Sequence, residues 1–383
     1  MTALAVAGDT AKRHRSGIAD SSRRGVVCSG ERRRGGWGPA ALSVGESVPA
    51  QTGMRDALGM GANLRHDPVL YHEVLEFFRV RPGGVYVDCT TGLGGHSEGI
   101  LKGLRGSGRL VALDRDSGSL ERARRHLGEE FENFSVHHEN FKNLPSVLAT
   151  LEIQSIDGCL LDLGMSSFQL DSGERGFSFQ LEGPLDMRMD RDQELTASQL
   201  VNELSEERLA EIIWRYGEEK MARKLAAAIV ASRRRTKLGT TTELADLVER
   251  VKGRPQGSRL HPATQVFQAL RIAVNQELTG LEEILTEVVQ FLKPDGCLVV
   301  IAFHSLEDRI VKRTFQREAG KCICRRRPDL CDCPRLKRVR ILTKKPMTPS
   351  SPEVQRNPRS RSAKLRAVQR LTESACLSPK EDR

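Results

Sequence analysis

The chain has 383 residues, enough for two domains with buried cores; 38% of the residues are hydrophobic and only 4% are aromatic. No run approaches the roughly 20 consecutive apolar residues of a membrane-spanning helix, which excludes a helical membrane protein from the prediction. Nine cysteines in a chain of this length, several of them single within predicted strands, indicate reduced, buried thiols.

The net charge of +10 is unevenly distributed along the chain. Residues 1–62 carry 9 Lys and Arg against 5 Asp and Glu, and residues 321–383 carry 18 against 6. The body between them is therefore mildly acidic, with 33 basic against 39 acidic residues. A basic segment beside an acidic body predicts a polyanionic partner. The alternative is a solvated segment that serves solubility only.

Residues 1–62 are rich in Gly, Ser, Ala and Arg and lack a sustained apolar period, which predicts a disordered basic leader. The leader is interpreted as dispensable or as an over-long start, with Met54 or Met60 as the alternative first residue. A targeting peptide is the weaker alternative, because the leader contains acidic residues.

The ordered chain is predicted to be organised around a strand, a glycine-rich turn and a helix. Val85–Val87 is a short β-branched and aromatic run, and residues 97–104 have a helical pattern. Leu110–Leu113 predicts a second buried strand that ends at Asp114. In a parallel sheet, ligands bind outside the carboxyl ends of the strands, so the turn and Asp114 face one crevice.

The turn favours a nucleoside over a dinucleotide. Counting from Gly92, the third glycine of a Gly-x-Gly-x-x-Gly pattern is replaced by Ser97. Asp88 before the turn and Asp114 after the next strand are suited to binding a nucleoside, with Asp114 accepting from ribose hydroxyls. S-Adenosylmethionine is therefore the candidate ligand, and a strand-to-helix turn without a ligand is the alternative.

The remaining pattern alternates strands and helices, which predicts an α/β fold with a doubly wound parallel sheet. Order is predicted to begin near residues 66–70, with a helix that ends at residues 81–83. Further predicted elements are helices at 117–127 and 145–151, strands at 134–137, 156–163, 297–303 and 339–342, a turn at 294–296, and one long helix carrying Val266, Phe267, Leu270, Val274, Leu278, Leu281 and Leu285.

Between the fourth and fifth strands the sequence predicts only helices. Ser205 is the expected N-cap of the first, with Gly217 as its stop, and further helices are expected at 218–235 and 242–251. The predicted organisation is a methyltransferase sheet domain at 63–170 and 263–345, a helical insertion for substrate recognition at 171–262, and a basic tail at 346–383.

Ten motifs in this order resemble the RsmH (MraW) family over about residues 64–370. They include Gly92-Leu-Gly-Gly-His-Ser97 and Leu161-Asp-Leu-Gly-Met-Ser-Ser167. The others occupy residues 66–70, 113–116, 174–179, 183–190, 216–219, 261–264, 267–272 and 303–312. The resemblance implies a Rossmann-like class I methyltransferase that uses S-adenosylmethionine to methylate N4 of a cytidine, at the cytosine-1402 position, in the decoding region of 16S ribosomal RNA.

The resemblance also implies the partners and the location of the enzyme. The expected partner is 16S rRNA within the small ribosomal subunit, without a membrane, in the bacterial cytoplasm; an organellar form is the alternative, and a homodimer is left open. Two further functions remain open. One is an amino-methyltransferase that acts on DNA or another RNA, and the other is a cofactor-binding assembly factor of the ribosomal subunit.

The site residues are carried over from the family by position. Those implied to bind the cofactor are Gly94, Gly95, His96, Asp114, Phe141, Asp162 and Gln169. Asp114 would hold the ribose and Phe141 would lie against the adenine, while Asp162 and Gln169 would lie near the methionine end or the adenine edge. The alternative for His96 is a helix-start residue bonded to backbone.

For catalysis, the loop after the fourth strand is the expected acceptor of the target amine. Amino-methyltransferases usually carry an Asp-Pro-Pro-Tyr type of loop at this corner, and the prolines are absent here. The predicted catalytic residues are Asp162, Ser166, Ser167 and His304. Second candidates for lining the cytosine pocket are Asp186, Arg188 and Ser305, and the adjacent methionines have core packing as their alternative.

Two Cys-x-Cys pairs, Cys322 with Cys324 and Cys331 with Cys333, stand in a basic stretch. Four thiolates are a ligand set for zinc, although Cys-x-x-Cys is the usual structural spacing. The alternative is a basic loop with reduced, unliganded thiols. The predicted set of site residues contains no metal ligand, and the zinc question is left open.

Overall fold

The computed structural model describes residues 68–254, 261–324, 331 and 336–372. The predicted leader, the predicted start of order at residues 66 and 67, and Cys333 lie outside the described residues. The strands are β1 Val85–Asp88, β2 Arg109–Asp114, β3 Phe134–His138, β4 Ile156–Asp162, β5 Leu292–Ala302, β6 Val339–Ile341 and β7 Lys364–Arg370. No described helix is both long enough and apolar enough to cross a bilayer.

The helices that connect and cover the sheet follow in chain order. They are α1 Tyr71–Phe78, α2 Gly95–Leu104, α3 Ser117–Gly128, α4 Leu144–Thr150, α5 Ser167–Asp171, α6 Ala197–Glu203, α7 Glu206–Gly217, α8 Ala222–Arg233, α9 Thr241–Lys252, α10 Thr264–Asn275, α11 Leu281–Phe291, α12 Ser305–Glu318 and α13 Ser351–Arg356. The sequence did not predict α5 and α6, which are short helices that each begin at a capping box.

All strands form one sheet in the order β3-β2-β1-β4-β5-β7-β6. The strands β1 to β5 are parallel to one another, whereas β7 runs antiparallel to both β5 and β6. The predicted α/β, Rossmann-like, doubly wound fold is therefore confirmed. Because the chain runs outward from β1 to β3 and then returns to β4, the strand order reverses between β1 and β4, where such folds bind ligands.

The strands are apolar on both faces because helices cover both sides of the sheet. On one face, Val111 and Leu113 of β2 pack in a core with residues of α4, α11 and α12. On the other face, Leu110 packs with residues of α1 and α2. Burial on both sides leaves only the strand ends to form a polar site.

The strand β7 corrects the predicted sheet and tail. Residues 346–383 were predicted to form a basic tail, but Lys364–Arg370 inserts between β5 and β6, with Leu365 opposite Ile301. The charge of Arg366 did not prevent this, because its Nε lies 2.7 Å from Asp308 Oδ1 on α12. The sheet is therefore mixed rather than wholly parallel.

The predicted long helix through Val266 and Leu285 is wrong, because two helices occupy this stretch. Gln276 and Gly280 both have positive φ, 48° and 73°, and these conformations end α10 and precede α11. The apolar spacing continues across the break, so periodicity alone could not reveal it. The break places Glu277 between the helices, where it is buried.

Three further boundaries differ from the predictions. The first helix ends at Phe78 rather than near residue 81, since Arg79 adopts a φ of 46°. Ser205 caps α7 as predicted, but Glu218 rather than Gly217 takes the left-handed conformation at its end. The predicted turn at 294–296 lies inside the bounds of β5, at an irregular start where Asp295 has a φ of 65°.

A second hydrophobic core lies among the helices that follow β4. It contains residues of α6, α7, α8, α9 and α10, together with Phe177 and Met189 from the intervening loops. In this region the described residues contribute only an isolated bridge between Pro184 and Thr240 and no strand. The helix α10 packs into this core through Val266, although the sequence analysis assigns residues 263–345 to the sheet domain. The 171–262 insertion remains a prediction.

Candidate active site

A cavity of about 450 Å³ opens at the point where the strand order reverses. Its walls come from the carboxyl ends of β1, β2, β4 and β5 and from α5 and α10. Aromatic and charged side chains from the helical side complete it: Phe177, Phe179, Phe267, Arg271 and Glu277. The cavity therefore lies between the sheet edge and the second core.

The turn after β1 is held by carboxylates. Asp88 accepts from Ser97 Oγ at 2.7 Å and from the Thr90 N–H at 3.1 Å. Burial raises the pKa of the Asp88 carboxyl above its ordinary value. The Gly92 N–H donates to Asp114 Oδ2 at 2.7 Å, which ties the turn to the end of β2. The two acidic residues singled out in the sequence thus fix the turn from both sides.

The two predicted cofactor glycines differ in their positions. Gly95 lines the cavity, and a Cβ there would lie 2.5 Å from Pro68 Cγ. Gly94 is not among the lining residues; it has a φ of 91°, and a Cβ would lie 3.3 Å from Leu127 Cγ. Gly94 therefore shapes the start of α2 and lets it approach α3 closely.

Asp114 lines the cavity at the end of β2. Its Oδ1 accepts from the Asp116 N–H at 2.8 Å, while its Oδ2 accepts from Gly92. Burial raises the pKa of Asp114 to about 6, although these two N–H donors oppose the shift. The carboxyl therefore titrates close to neutral pH.

His96 and Asp162 face each other across the cavity floor. The His96 Nε2 lies 3.6 Å from Asp162 Oδ2, and the imidazole stacks on Tyr71 with ring centroids 6.2 Å apart. Neither ring nitrogen of His96 forms a hydrogen bond, so the alternative of a backbone-bonded helix-start histidine is wrong. The Asp162 backbone N–H donates to Thr90 Oγ1 at 2.6 Å, whereas the side-chain Oδ1 of Asp162 has no hydrogen-bond partner.

Unpartnered polar atoms concentrate at this cavity. Among the described residues, eight buried side-chain polar atoms lack a hydrogen bond, and six of them belong to lining residues. These are both ring nitrogens of His96, Arg115 Nε, Ser119 Oγ, Asp162 Oδ1 and His304 Nε2. Buried polar groups are normally paired, so this concentration indicates that a polar ligand completes the site.

The loop after β4 is rigidly held. Ser166 accepts from the Gln169 N–H at 3.3 Å, and its own N–H donates to Gln169 Oε1 at 3.0 Å. The hydroxyl of Ser166 therefore caps α5, while Ser167 also lines the cavity. Phe141 is buried in a short 3₁₀ turn after β3 and contributes an aromatic wall.

Gln169 is anchored at both ends of its amide. Its Nε2 donates to Asp116 Oδ2 at 2.7 Å, so little of its hydrogen-bonding capacity faces the cavity. The same Asp116 oxygen lies 2.8 Å from Arg175 Nη1, and Arg175 also donates to the Met189 carbonyl at 2.9 Å. This buried network joins α3, α5 and the 171–195 loop.

At the far side of the cavity, His304 caps α12. Its Nδ1 accepts from the Glu307 N–H at 3.4 Å, and its Nε2 lies 3.2 Å from Glu307 Oε1 and 4.0 Å from Glu277 Oε2. Burial opposes ionisation of Glu307, but His304, Arg271 and the Phe303 N–H together lower the pKa of this carboxyl below its ordinary value. Arg271 binds both oxygens of Glu277 at 2.8 Å.

Sequence reasoning missed charged residues in and beside the cavity, among them Asp116, Arg175, Arg271, Glu277 and Glu307. Four of these five lie inside the quoted motif stretches, which was the available signal. Glu277 lies outside these stretches and was assigned to the interior of a long helix. Only the break between α10 and α11 brings it to the cavity.

The second candidates do not line the cavity. Asp186 and Arg188 pair with each other, with Arg188 Nε 2.8 Å from Asp186 Oδ1. Ser305 donates to Glu218, which also binds Arg309 at 2.8 Å. These residues form a half-buried pair and an exposed cluster outside the cavity.

Comparison with known proteins agrees with this geometry. The model of the MraW methylase family matches residues 63–371. The chain belongs to the MraW methylase family. Similar relatives include the "Ribosomal RNA small subunit methyltransferase H" proteins of Thermomicrobium roseum and Syntrophotalea carbinolica. Each is 50% identical over 80% of this chain, and the matches cover 94% and 98% of the relatives.

Among solved structures, TrmN from Thermus thermophilus is 12% identical, covers 81% of this chain and 51% of its own, and has a TM-score of 0.35. This likeness is too remote to carry an argument about the site. The cofactor of the MraW methylase is S-adenosylmethionine. A nucleoside with a charged amino-acid end suits a cavity with a carboxylate at β2, an aromatic wall and unpartnered imidazole nitrogens.

The titration of Asp114 predicts how cofactor binding depends on pH. The expected ribose contact requires the carboxylate form of Asp114, so we expect affinity for S-adenosylmethionine to fall about tenfold per pH unit below 6 and to level off above about 7. Calorimetric titrations between pH 5 and 8 measure this. Asp114→Asn should bind weakly and without this pH dependence; a variant curve that follows the wild type would contradict the assignment.

Proposed function

We propose that this chain transfers a methyl group from S-adenosylmethionine to N4 of a cytidine in the decoding region of 16S rRNA. The observation that carries the proposal is the unpartnered Asp162 Oδ1 at the end of β4, inside a cavity that also holds Asp114 and Phe141. The names of the relatives, which specify RNA of the small ribosomal subunit, support the choice of RNA.

We assign the cofactor contacts to this chain as follows. Asp114 accepts hydrogen bonds from the ribose, Phe141 lies against the adenine, and His96 serves the methionine end with its two free ring nitrogens. Gly94 and Gln169 act indirectly, through the turn and the α5 loop. When bound, S-adenosylmethionine supplies a methyl group on a sulfonium, which is already a strong electrophile. The protein must then mainly position the acceptor.

Asp162 is the proposed acceptor for the cytosine amine. A hydrogen bond from N4 to Asp162 Oδ1 would aim the nitrogen lone pair at the methyl group. The Asp162 carboxylate would also receive the proton that the amine loses. Ser166 holds the loop through its cap, and Ser167 lies beside the amine position. His304 lines the cavity with its Nε2 3.2 Å from Glu307 Oε1, and we propose that its ring helps to shape the pocket for the base.

The RNA would approach from the side of the helical core, and we propose residues 171–262 as its recognition part. Basic residues of the C-terminal region that pair with acidic residues of the fold include Arg338 with Glu318, Arg359 with Asp171, and Arg366 with Asp308. The positive charge that this region offers to RNA phosphates is therefore smaller than its number of Lys and Arg residues suggests. The proposed substrate is 16S rRNA within the small subunit in the cytoplasm.

The deciding experiment uses 30S subunits from a strain that lacks this methylation. Subunits are incubated with purified protein and methyl-labelled S-adenosylmethionine, and nucleosides are identified by mass spectrometry. We expect new N4-methylcytidine at one decoding-region position, and none with Asp114→Ala. Cofactor binding without incorporation into subunits or free rRNA would overturn the rRNA assignment, and incorporation into DNA would favour the other amino-methyltransferase function.

A further inference from the structure

We propose that Cys322, Cys324 and Cys331 form a thiolate site for a zinc ion, separate from the methyltransferase cavity. Their Sγ atoms lie 3.1 Å apart for Cys322 with Cys324, 3.1 Å for Cys322 with Cys331, and 3.3 Å for Cys324 with Cys331. All three atoms therefore converge on one point, although nine positions separate the first and last cysteines in sequence. None of these residues lines the cavity.

The distances suit a shared ion. They exceed the roughly 2.05 Å of a covalent S–S bond. They are within about 0.7 Å of the edge of a tetrahedral zinc–thiolate site, which is about 3.8 Å for Zn–S bonds of about 2.3 Å. Small outward shifts of the three side chains would open the space for zinc. Convergence of three thiols on one point is the arrangement that soft metal ions select.

Contacts among the described residues hold this loop at its base. Ala319 pairs with Lys337 in an antiparallel bridge, and the Arg338 N–H donates to the Glu318 carbonyl at 2.8 Å. Between these anchors, the described apolar side chains are few, and Leu336 is 58% exposed. A metal ion supplies the cross-link that a small apolar core cannot.

The electrostatics separate these thiols from the cysteines of the sheet. Burial raises the pKa of Cys297 to about 12, and contact with Cys159 and burial raise the pKa of Cys89. Cys297 and Cys89 lie in apolar cores, where their thiols stay protonated. Cys322, by contrast, is exposed, and its Sγ lies 3.1 Å from those of Cys324 and Cys331. The loop, and not the sheet, therefore carries the metal-binding thiols.

The test uses the full-length chain, purified under reducing conditions without chelator. We expect mass spectrometry of the elements to find about one zinc per chain, with the ion lost from the triple variant Cys322→Ser, Cys324→Ser and Cys331→Ser. Cys376→Ser removes a thiol that belongs to neither Cys-x-Cys pair, and this variant should retain the zinc. Cys333→Ser decides whether the fourth thiol of the sequence pattern is a ligand.

Cobalt provides a readout that does not depend on folding of the triple variant. Reduced wild-type protein, stripped of metal and titrated with Co²⁺, should develop intense thiolate-to-cobalt charge-transfer bands and tetrahedral d–d bands, which zinc then abolishes. The absence of zinc after purification, together with the absence of these bands on titration, would overturn the proposal. Zinc retention in the triple variant, or a two-dalton mass loss that shows a disulfide in the native protein, would overturn it as well.

Discussion

Replacing Asp162 by alanine is expected to lower the rate of single-turnover methyl transfer at least about 100-fold at saturating cofactor and RNA. The change removes Oδ1, the buried acceptor without a partner in the protein, and with it the group that would orient the amine. Asp162→Asn keeps an oxygen at this position and should lose less activity. Rapid-quench assays with labelled S-adenosylmethionine and 30S subunits measure both rates.

Two comparisons separate this role from others. Glu76→Gln alters an exposed carboxyl on α1 that lies outside both the cavity and the proposed recognition part, and it should leave the rate unchanged. Cofactor affinity of the Asp162 variants is measured separately by calorimetry, since Asp162 also faces His96. If the alanine variant transfers methyl groups at the wild-type rate once cofactor is saturating, Asp162 does not orient the amine.

Replacing Arg175 by methionine should lower the free energy of unfolding by about 3 kcal/mol. Arg175 and Asp116 are 6% and 3% exposed, and loss of the guanidinium leaves a buried carboxylate with only the Gln169 amide and two backbone N–H donors. Methionine retains most of the side-chain volume, so the loss reports the charge pair and the hydrogen bonds to the Arg188 and Met189 carbonyls rather than a cavity. Urea denaturation followed by far-ultraviolet circular dichroism measures the change.

The matched control is Arg208→Met on α7. Arg208 pairs with Glu211 at an exposed position, where such pairs contribute less than about 1 kcal/mol. If the free energy of unfolding falls equally in the two methionine variants, the buried pair contributes no more stability than the exposed pair. The double variant with Asp116→Asn should regain part of the loss, because it removes the carboxylate that Arg175→Met leaves unpaired.

Much of the site could be predicted because its residues stand at the ends of strands. Asp88, Asp114 and Asp162 each close a buried apolar run, and the carboxyl ends of parallel strands meet at one edge of the sheet. Their partners could not be predicted in the same way. Arg175 reaches Asp116 from 59 positions further along the chain, and no local pattern encodes such a pairing.

By itself, the sequence determined the alternation of strands and helices, the glycine turn and the cap at Ser205, since these depend on local periodicity and backbone conformation. Only the tertiary structure decided that β7 enters the sheet, because strand pairing is non-local and Asp308 neutralises Arg366 from another element. It likewise decided the break at Gln276, where backbone conformation interrupts an unbroken apolar period and places Glu277 at the cavity.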